Sequence, residues 1–313
     1  MRDSGDPLPA ISVTDSALPG SGTMLSWARL FRPHQWVKNF FVLAPLLFSG
    51  KALDSAAQLR SLLAFLVFCG LASSVYIFND VIDRDSDRAH PTKRSRPIAA
   101  GSIGVPQALL VAGLLLIASI ASAFLVSPAL GGIAVSYLAL NVLYSVWLKH
   151  VVIIDVFAIS AFFVLRLLSG AAAVDVRPSV WLVLCGGLLA LYLGFAKRRH
   201  ELLLLGNGSA ADHRAVLTEY STAFLDQLSV VLLSVTIVSY IMYTLESETA
   251  RAVGGEALSY STVFVLYGVL RYLHLVHRRE DGNPTDTLLT DKGLLAAVVL
   301  WVVYCGLVLY RPF

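Results

Sequence analysis

Between positions 79 and 101 the chain reads NDVIDRDSDRAHPTKRSRPIAAG, a run of carboxylates followed by a run of cations. If the helix feeding this stretch continues through Arg88, then Asn79, Asp80, Asp83 and Asp87 fall within an arc of roughly 100°, and Asp85 lies on the opposite side as a solvated bystander. Three carboxylates and an amide on one helical face repel one another unless a cation joins them. All-oxygen donors suit Mg²⁺, which keeps several waters and bridges carboxylates to substrate phosphates. Asp80, Asp83 and Asp87 are therefore the expected metal ligands and catalytic residues, with Asn79 beside them and a diphosphate as the expected substrate group. The second half supplies the opposite charge. Arg88, His90, Lys93, Arg94 and Arg96 lie around Pro91 and Pro97, and each proline limits the freedom of the loop. Arginine forks onto phosphate oxygens and lysine adds a point charge, so Arg88, Lys93, Arg94 and Arg96 are expected to bind substrate.

Long apolar helices must position these groups. The chain has 313 residues, 57% of them hydrophobic and 14% charged, with a mean hydropathy of +0.71. A soluble protein of this size has about 25% charged residues. Long apolar runs, several without any charge, are expected to span at 36–50, 57–78, 106–126, 129–147, 151–174, 178–196, 222–245, 258–275 and 293–310. All but the short first one are close to the length that crosses a hydrocarbon core of about 30 Å. The expected class is an all-α polytopic membrane protein, with about nine transmembrane helices in a bundle around a central cavity open to the cytoplasm. Strand alternation of the outer-membrane type is absent. Residues 1–23, rich in Ser, Gly, Pro and Asp, read as a disordered cytoplasmic tail. Residues 24–313 then form a single transmembrane catalytic domain. Its amphipathic helix over 24–35 lies in the headgroup layer and turns inward at Pro33. Cys69, Cys185 and Cys305 sit in apolar runs and read as packing residues. Counting Lys and Arg in alternate loops puts 18 of 24 on one side. By the positive-inside rule that side is cytoplasmic, together with the N-terminus and the acidic stretch.

NDVIDRDSD resembles the NDxxDxxxD motif of the UbiA-type intramembrane prenyltransferase superfamily, whose members bind Mg²⁺-diphosphate through it. DRAHPTKRSRPIAAG and the upstream RPHQWVKN at 32–39 are similar to the branch that makes decaprenyl-phosphoribose. Most UbiA-type enzymes carry a second acidic motif after span six. The matching place here reads AKRRHEL, with Lys197, Arg198 and Arg199 and, as the only nearby carboxylate, Glu201. That departure argues against a prenyl diphosphate held between two acidic motifs. A second cationic cluster suits two phosphorylated substrates. On spacing alone the same residues could be a stop-transfer anchor, but the KRxxEL pattern resembles the phosphoribosyltransferase branch, which makes Lys197, Arg198 and Glu201 expected substrate contacts.

The resemblance thus implies Mg²⁺-dependent transfer of a 5-phosphoribosyl group from phosphoribosyl pyrophosphate to a polyprenyl (decaprenyl) phosphate, for cell-wall arabinan synthesis at a bacterial inner membrane. One rival is a UbiA-type aromatic prenyltransferase, which needs a second carboxylate cluster. Another is a transporter or lipid scaffold, which needs broken spans at corresponding places in two halves and charges at mid-membrane. Nucleic acid is not an expected partner, and a homo-oligomer is left open.

Further candidates lie in YSVWLKH at 144–150 and the span after it. Tyr144 is placed with the substrate contacts; Lys149 either binds phosphate or snorkels. Asp155 and Arg166 are ionisable groups inside one span, on a shared face but about three turns apart. Arg166 reaches either a phosphate or a carboxylate of span two, or else forms a buried structural ion pair. Tyr220 and Asp226 are candidates to line the cytoplasmic cavity, and His274 and His277 read as a solvated face.

Overall fold

The computed structural model describes residues 24–206, 215–246, 250–251, 256–278, 287 and 290–310. The expected tail, 1–23, lies outside them. The described residues form helices α1 (Met24–Phe31), α2 (Ala44–Phe48), α3 (Ser55–Ile82), α4 (Arg84–Ala89), α5 (Val105–Val126), α6 (Pro128–Val146), α7 (Ile154–Ala173), α8 (Val180–Gly206), α9 (Thr222–Glu246), α10 (Glu256–Ser259), α11 (Thr262–Arg278) and α12 (Lys292–Leu309). A 3₁₀ segment, Pro33–Val42, joins α1 to α2.

Helix starts follow local chemistry. Asp54 caps α3 by accepting from the Ala56 N–H at 2.9 Å, Ser127 caps α6 from Leu130 N–H at 3.1 Å with Pro128 in the first turn, and Asp291 caps α12 from Leu294 N–H at 2.9 Å. Each cap satisfies a backbone donor that the helix itself leaves unpaired, which matters most where water is scarce. Consecutive helices pack as neighbours: α3 on α5, α5 on α6, α6 on α7, α7 on α8, α8 on α9 and α11 on α12.

Among the described residues seven helices are long and apolar enough to cross a membrane: α3, α5, α6, α7, α8, α9 and α12. The expected count of nine is not confirmed. The run at 36–50 is a 3₁₀ segment followed by a five-residue helix, and the run at 258–275 yields the 17-residue α11. The first of these still traverses the bundle. It runs antiparallel to α3, with Arg32 against Asp80, Trp36 Nε1 donating to Ser73 Oγ at 3.1 Å and Asn39 Nδ2 to Cys69 Sγ at 3.3 Å. A 3₁₀ helix rises about 2 Å per residue, so ten residues cover about 20 Å, more than the same length of α-helix would. Cys69 and Cys305 are buried and Cys185 half-buried, all three as free thiols.

Close approach of backbones fixes this segment against α7. A methyl group on Gly170 would stand 1.9 Å from the Val42 carbonyl oxygen and 2.8 Å from its carbon, both backbone atoms that cannot swing aside. Gly170→Ala is therefore expected to destabilise the protein by about 1–3 kcal/mol through overpacking. A lowered unfolding temperature in detergent checks this, and an unchanged one would show that the segment is free to move.

Candidate functional site at the mouth of α3

The last turn of α3 brings the acidic stretch to the end of the bundle, where the helix is interrupted rather than continuous. Asp83 ends α3 and caps α4 with φ −84° and ψ 4°. The helix expected to run unbroken through Arg88 therefore bends at Asp83, although Asp83 N–H still donates to Asn79 O and Asp87 N–H to Asp83 O, both at 2.8 Å. The bend separates the four one-faced groups. Asp80 and Asp87 are buried at 3% exposure each, Asn79 is half-buried and Asp83 is exposed. Asp85 is solvated, with a loose 3.7 Å pair to Arg88.

Two guanidinium groups meet the buried carboxylates. Arg32 Nη2 donates to Asp80 Oδ1 at 2.5 Å, and Arg96 Nη1 donates to both Asp87 Oδ2 at 2.7 Å and Asp80 Oδ1 at 3.2 Å. Arg32 also lies over the Tyr76 ring, 5.0 Å from its centroid. Its backbone is left-handed, φ 52° and ψ 56°, a conformation costing a non-glycine residue about 1–3 kcal/mol. That turn swings the chain from α1 into the 3₁₀ segment, and the Phe31 carbonyl accepts from Ser73 Oγ at 2.8 Å beside it. Arg32 was not among the expected site residues; its place in RPHQWVKN was the available signal. Of the other loop cations, Arg88 Nε donates to the Ala99 carbonyl at 3.0 Å, Lys93 is half-buried and Arg94 is exposed.

Mg²⁺ takes one or two protein carboxylates and completes its shell with water and substrate phosphate. Asp80 and Asp87, joined by one arginine nitrogen, form such a pair, with the Asn79 amide and the Asp83 carboxylate within a turn. Among the described residues no three His, Cys, Asp or Glu side chains converge as a ready metal cage. The donor set therefore fits a metal held partly by substrate.

A second polar centre lies where α7, α8 and the chain before α9 meet. Arg198 Nε donates to Asp155 Oδ2 at 2.8 Å, and Arg198 Nη1 pairs with Glu201. Arg198 and Asp155 are almost fully buried, and Lys197 Nζ stands 3.8 Å from Glu201 Oε1. Asp155 therefore pairs across to α8 rather than with Arg166 on its own helix. Tyr220 closes the centre. Its hydroxyl donates to Asp155 Oδ1 at 3.3 Å and accepts from Ile153 N–H at 2.6 Å, and burial pushes the phenol up to about 12. Ile153 needs such a clamp, because φ 69° and ψ −47° form a strained γ-turn, rare for a β-branched residue. Asp226 accepts from Arg199 Nε at 2.5 Å and lies 3.3 Å from His277 Nε2, so His277 has an acidic neighbour that its sequence context did not reveal.

Arg166 meets no carboxylate of α3 and forms no ion pair among the described residues. Its Nε donates to Asn39 Oδ1 at 2.7 Å, Nη1 to the Phe162 carbonyl at 2.9 Å and Nη2 to Tyr137 Oη at 2.9 Å, with the guanidinium 5.0 Å from the Tyr137 ring centroid. Neutral acceptors and an aromatic face hold this buried cation. A carboxylate partner is absent among the described residues. Tyr144 packs edge-on against Phe162, with ring centroids 5.9 Å apart, and Lys149 is half-buried in the turn before α7.

Apolar spanning helices, with paired carboxylates and guanidinium groups gathered at one mouth, define a polytopic membrane enzyme that handles an anionic substrate. The chain belongs to the UbiA prenyltransferase family, whose model matches residues 40–290. It is 31% identical to the decaprenyl-phosphate phosphoribosyltransferase of Mycolicibacterium smegmatis, covering 94% of this chain and 96% of the relative. It is 33% identical to the Corynebacterium glutamicum protein of the same name, covering 90% and 86%. The fold is that of a UbiA homologue from Archaeoglobus fulgidus, solved with DMAPP and Mg²⁺, at a TM-score of 0.68, 17% identity and coverage of 92% of this chain and all of the other.

Proposed function

We propose that this chain transfers the 5-phosphoribosyl group of phosphoribosyl pyrophosphate to decaprenyl phosphate and releases pyrophosphate, on the cytoplasmic face of a bacterial inner membrane. The observation that carries this reading is the asymmetry of the two polar centres: one pairs two buried carboxylates, whereas the other is built around Arg198. Relatives of similar length with the phosphoribosyltransferase name support it.

Asp80, Asp83 and Asp87 would hold Mg²⁺, which when bound offsets charge developing on the leaving pyrophosphate. Asn79, Arg32 and Arg96 align the diphosphate, and Lys93 and Arg94 on the adjoining loop draw the anion in. Lys149 and Lys197 face the second phosphate. Arg198 works as a strut that fixes α8 against α7, with Glu201 and Asp155 holding its two ends. The lipid phosphate attacks C1 of ribose. It is already an ionised nucleophile, so this chain supplies position and charge rather than a strong base.

Purified protein is expected to release pyrophosphate from phosphoribosyl pyrophosphate only when polyprenyl phosphate and Mg²⁺ are both present. Consumption of a prenyl diphosphate with an aromatic acid would instead assign the chain to the aromatic prenyltransferases.

A further inference from the structure

A cavity of about 570 Å³ opens at the end of the bundle remote from Asp80. It lies between the turn that precedes α3 and the turn between α7 and α8, whereas Asp80 is 25 residues into α3, roughly 38 Å away along that helix. Its lining is divided chemically. Phe48, Leu182 and Leu309 make an apolar wall, and Lys51, Asp175 and Arg177 bring charge.

The charged rim is held in place. Lys51 Nζ donates to the carbonyls of Val174 at 2.9 Å and Asp175 at 3.2 Å, leaving one of its three N–H groups. Asp175 has a left-handed backbone, φ 51°, so the turn that Lys51 clamps is a strained one. On the other wall, Tyr310 Oη accepts from Ala52 N–H at 2.9 Å and donates to the Leu47 carbonyl at 2.8 Å, tying the end of α12 to the same turn. The Asp175 and Arg177 side chains are exposed, and neither forms an ion pair among the described residues. By the alternate-loop count only five of 24 Lys and Arg fall on this side of the membrane, Lys51, Arg60, Arg177, Arg251 and Arg311, and two of those five line this one cavity. The positive-inside rule depletes this side of cations, so their pairing here calls for a ligand.

We propose that the cavity binds the phosphoethanolamine headgroup of a membrane lipid. Arg177 and the remaining Lys51 N–H hold the phosphodiester, Asp175 accepts from the ammonium, and Phe48, Leu182 and Leu309 cover the glycerol and the first methylenes. The volume falls within the usual range for a small-ligand site. A purely anionic headgroup would leave the Asp175 carboxylate facing like charge, and a choline headgroup has no N–H to donate to it.

Native mass spectrometry of the full-length protein in detergent, titrated with dihexanoyl lipids, tests this. One phosphatidylethanolamine per chain is expected, with phosphatidylcholine weaker by about tenfold. Arg177→Gln should weaken phosphatidylethanolamine by about tenfold through loss of a charge-assisted hydrogen bond. Asp175→Asn should weaken phosphatidylethanolamine but not phosphatidylglycerol. Unfolding temperatures matching the parent protein confirm that both variants fold. Equal binding of choline and ethanolamine lipids, or unchanged binding by either variant, would overturn the site. Free phosphoethanolamine binding as tightly as the lipid would overturn its assignment to a membrane lipid.

Discussion

Replacing Asp83 with Asn is expected to lower turnover by at least about 10²-fold, while the unfolding temperature stays where it was. The two halves of that expectation have separate causes. Asp83 is exposed at the junction of α3 and α4 and forms no ion pair among the described residues, so folding loses nothing when its charge is removed. Its backbone carbonyl, which accepts from Asp87 N–H and from Ser86 Oγ, is unchanged in the variant. Chemistry, by contrast, loses a carboxylate from the set proposed to hold the metal-bound diphosphate. Asp80→Asn is a less clean experiment, because Asp80 also neutralises Arg32 and Arg96 and its loss leaves two guanidinium groups with one fewer counter-charge. Asp85→Asn serves as the control, since Asp85 is solvated. Steady-state rates and thermal unfolding on the same preparations decide the matter. Near-normal turnover in Asp83→Asn would remove it from the site.

Breaking the Asp155–Arg198 pair should have the largest effect on stability. Both side chains are almost fully buried, so Asp155→Leu alone strands part of a guanidinium in an apolar setting, at a cost of about 3–5 kcal/mol. Arg198→Met alone strands the Asp155 carboxylate, with Tyr220 Oη as the one side-chain donor left to it among the described residues. Combining the two substitutions removes both charges and should recover most of the lost stability, because a buried ion pair contributes little beyond what apolar packing gives. Activity then reports the role of Arg198. Recovery of turnover along with stability fits a strut. Recovered stability without turnover would mean that Arg198 touches substrate, as the sequence pattern by itself implied.

The contrast between the two polar centres shows where sequence reading reached and where it stopped. At the first centre the pairing of carboxylates was legible, because Asp80 and Asp87 are seven residues apart, about two turns, and the hydrogen bonds from Asp83 N–H to Asn79 O and from Asp87 N–H to Asp83 O carry that spacing through the bend. The membrane class was legible for a similar reason. Long uncharged runs have few alternatives to spanning helices, since every backbone donor must be satisfied inside the segment. At the second centre the sequence showed three cations in a row and could not tell a phosphate site from an anchor. The deciding partners, Asp155 and Tyr220, lie 43 and 22 residues away from Arg198.

Local periodicity therefore determined the membrane-helical class and the acidic face of α3. Tertiary packing decided the rest. It bent the helix at Asp83, and it wound the expected first span as a 3₁₀ segment pressed onto Gly170. It gave Arg166 neutral partners, and it brought Arg32 across 48 residues to Asp80. The physical reason is common to all four. Which charge neutralises which in a low-dielectric interior depends on distances of a few ångströms between helices, and those distances are set by side-chain packing across the bundle, which no single run of sequence contains.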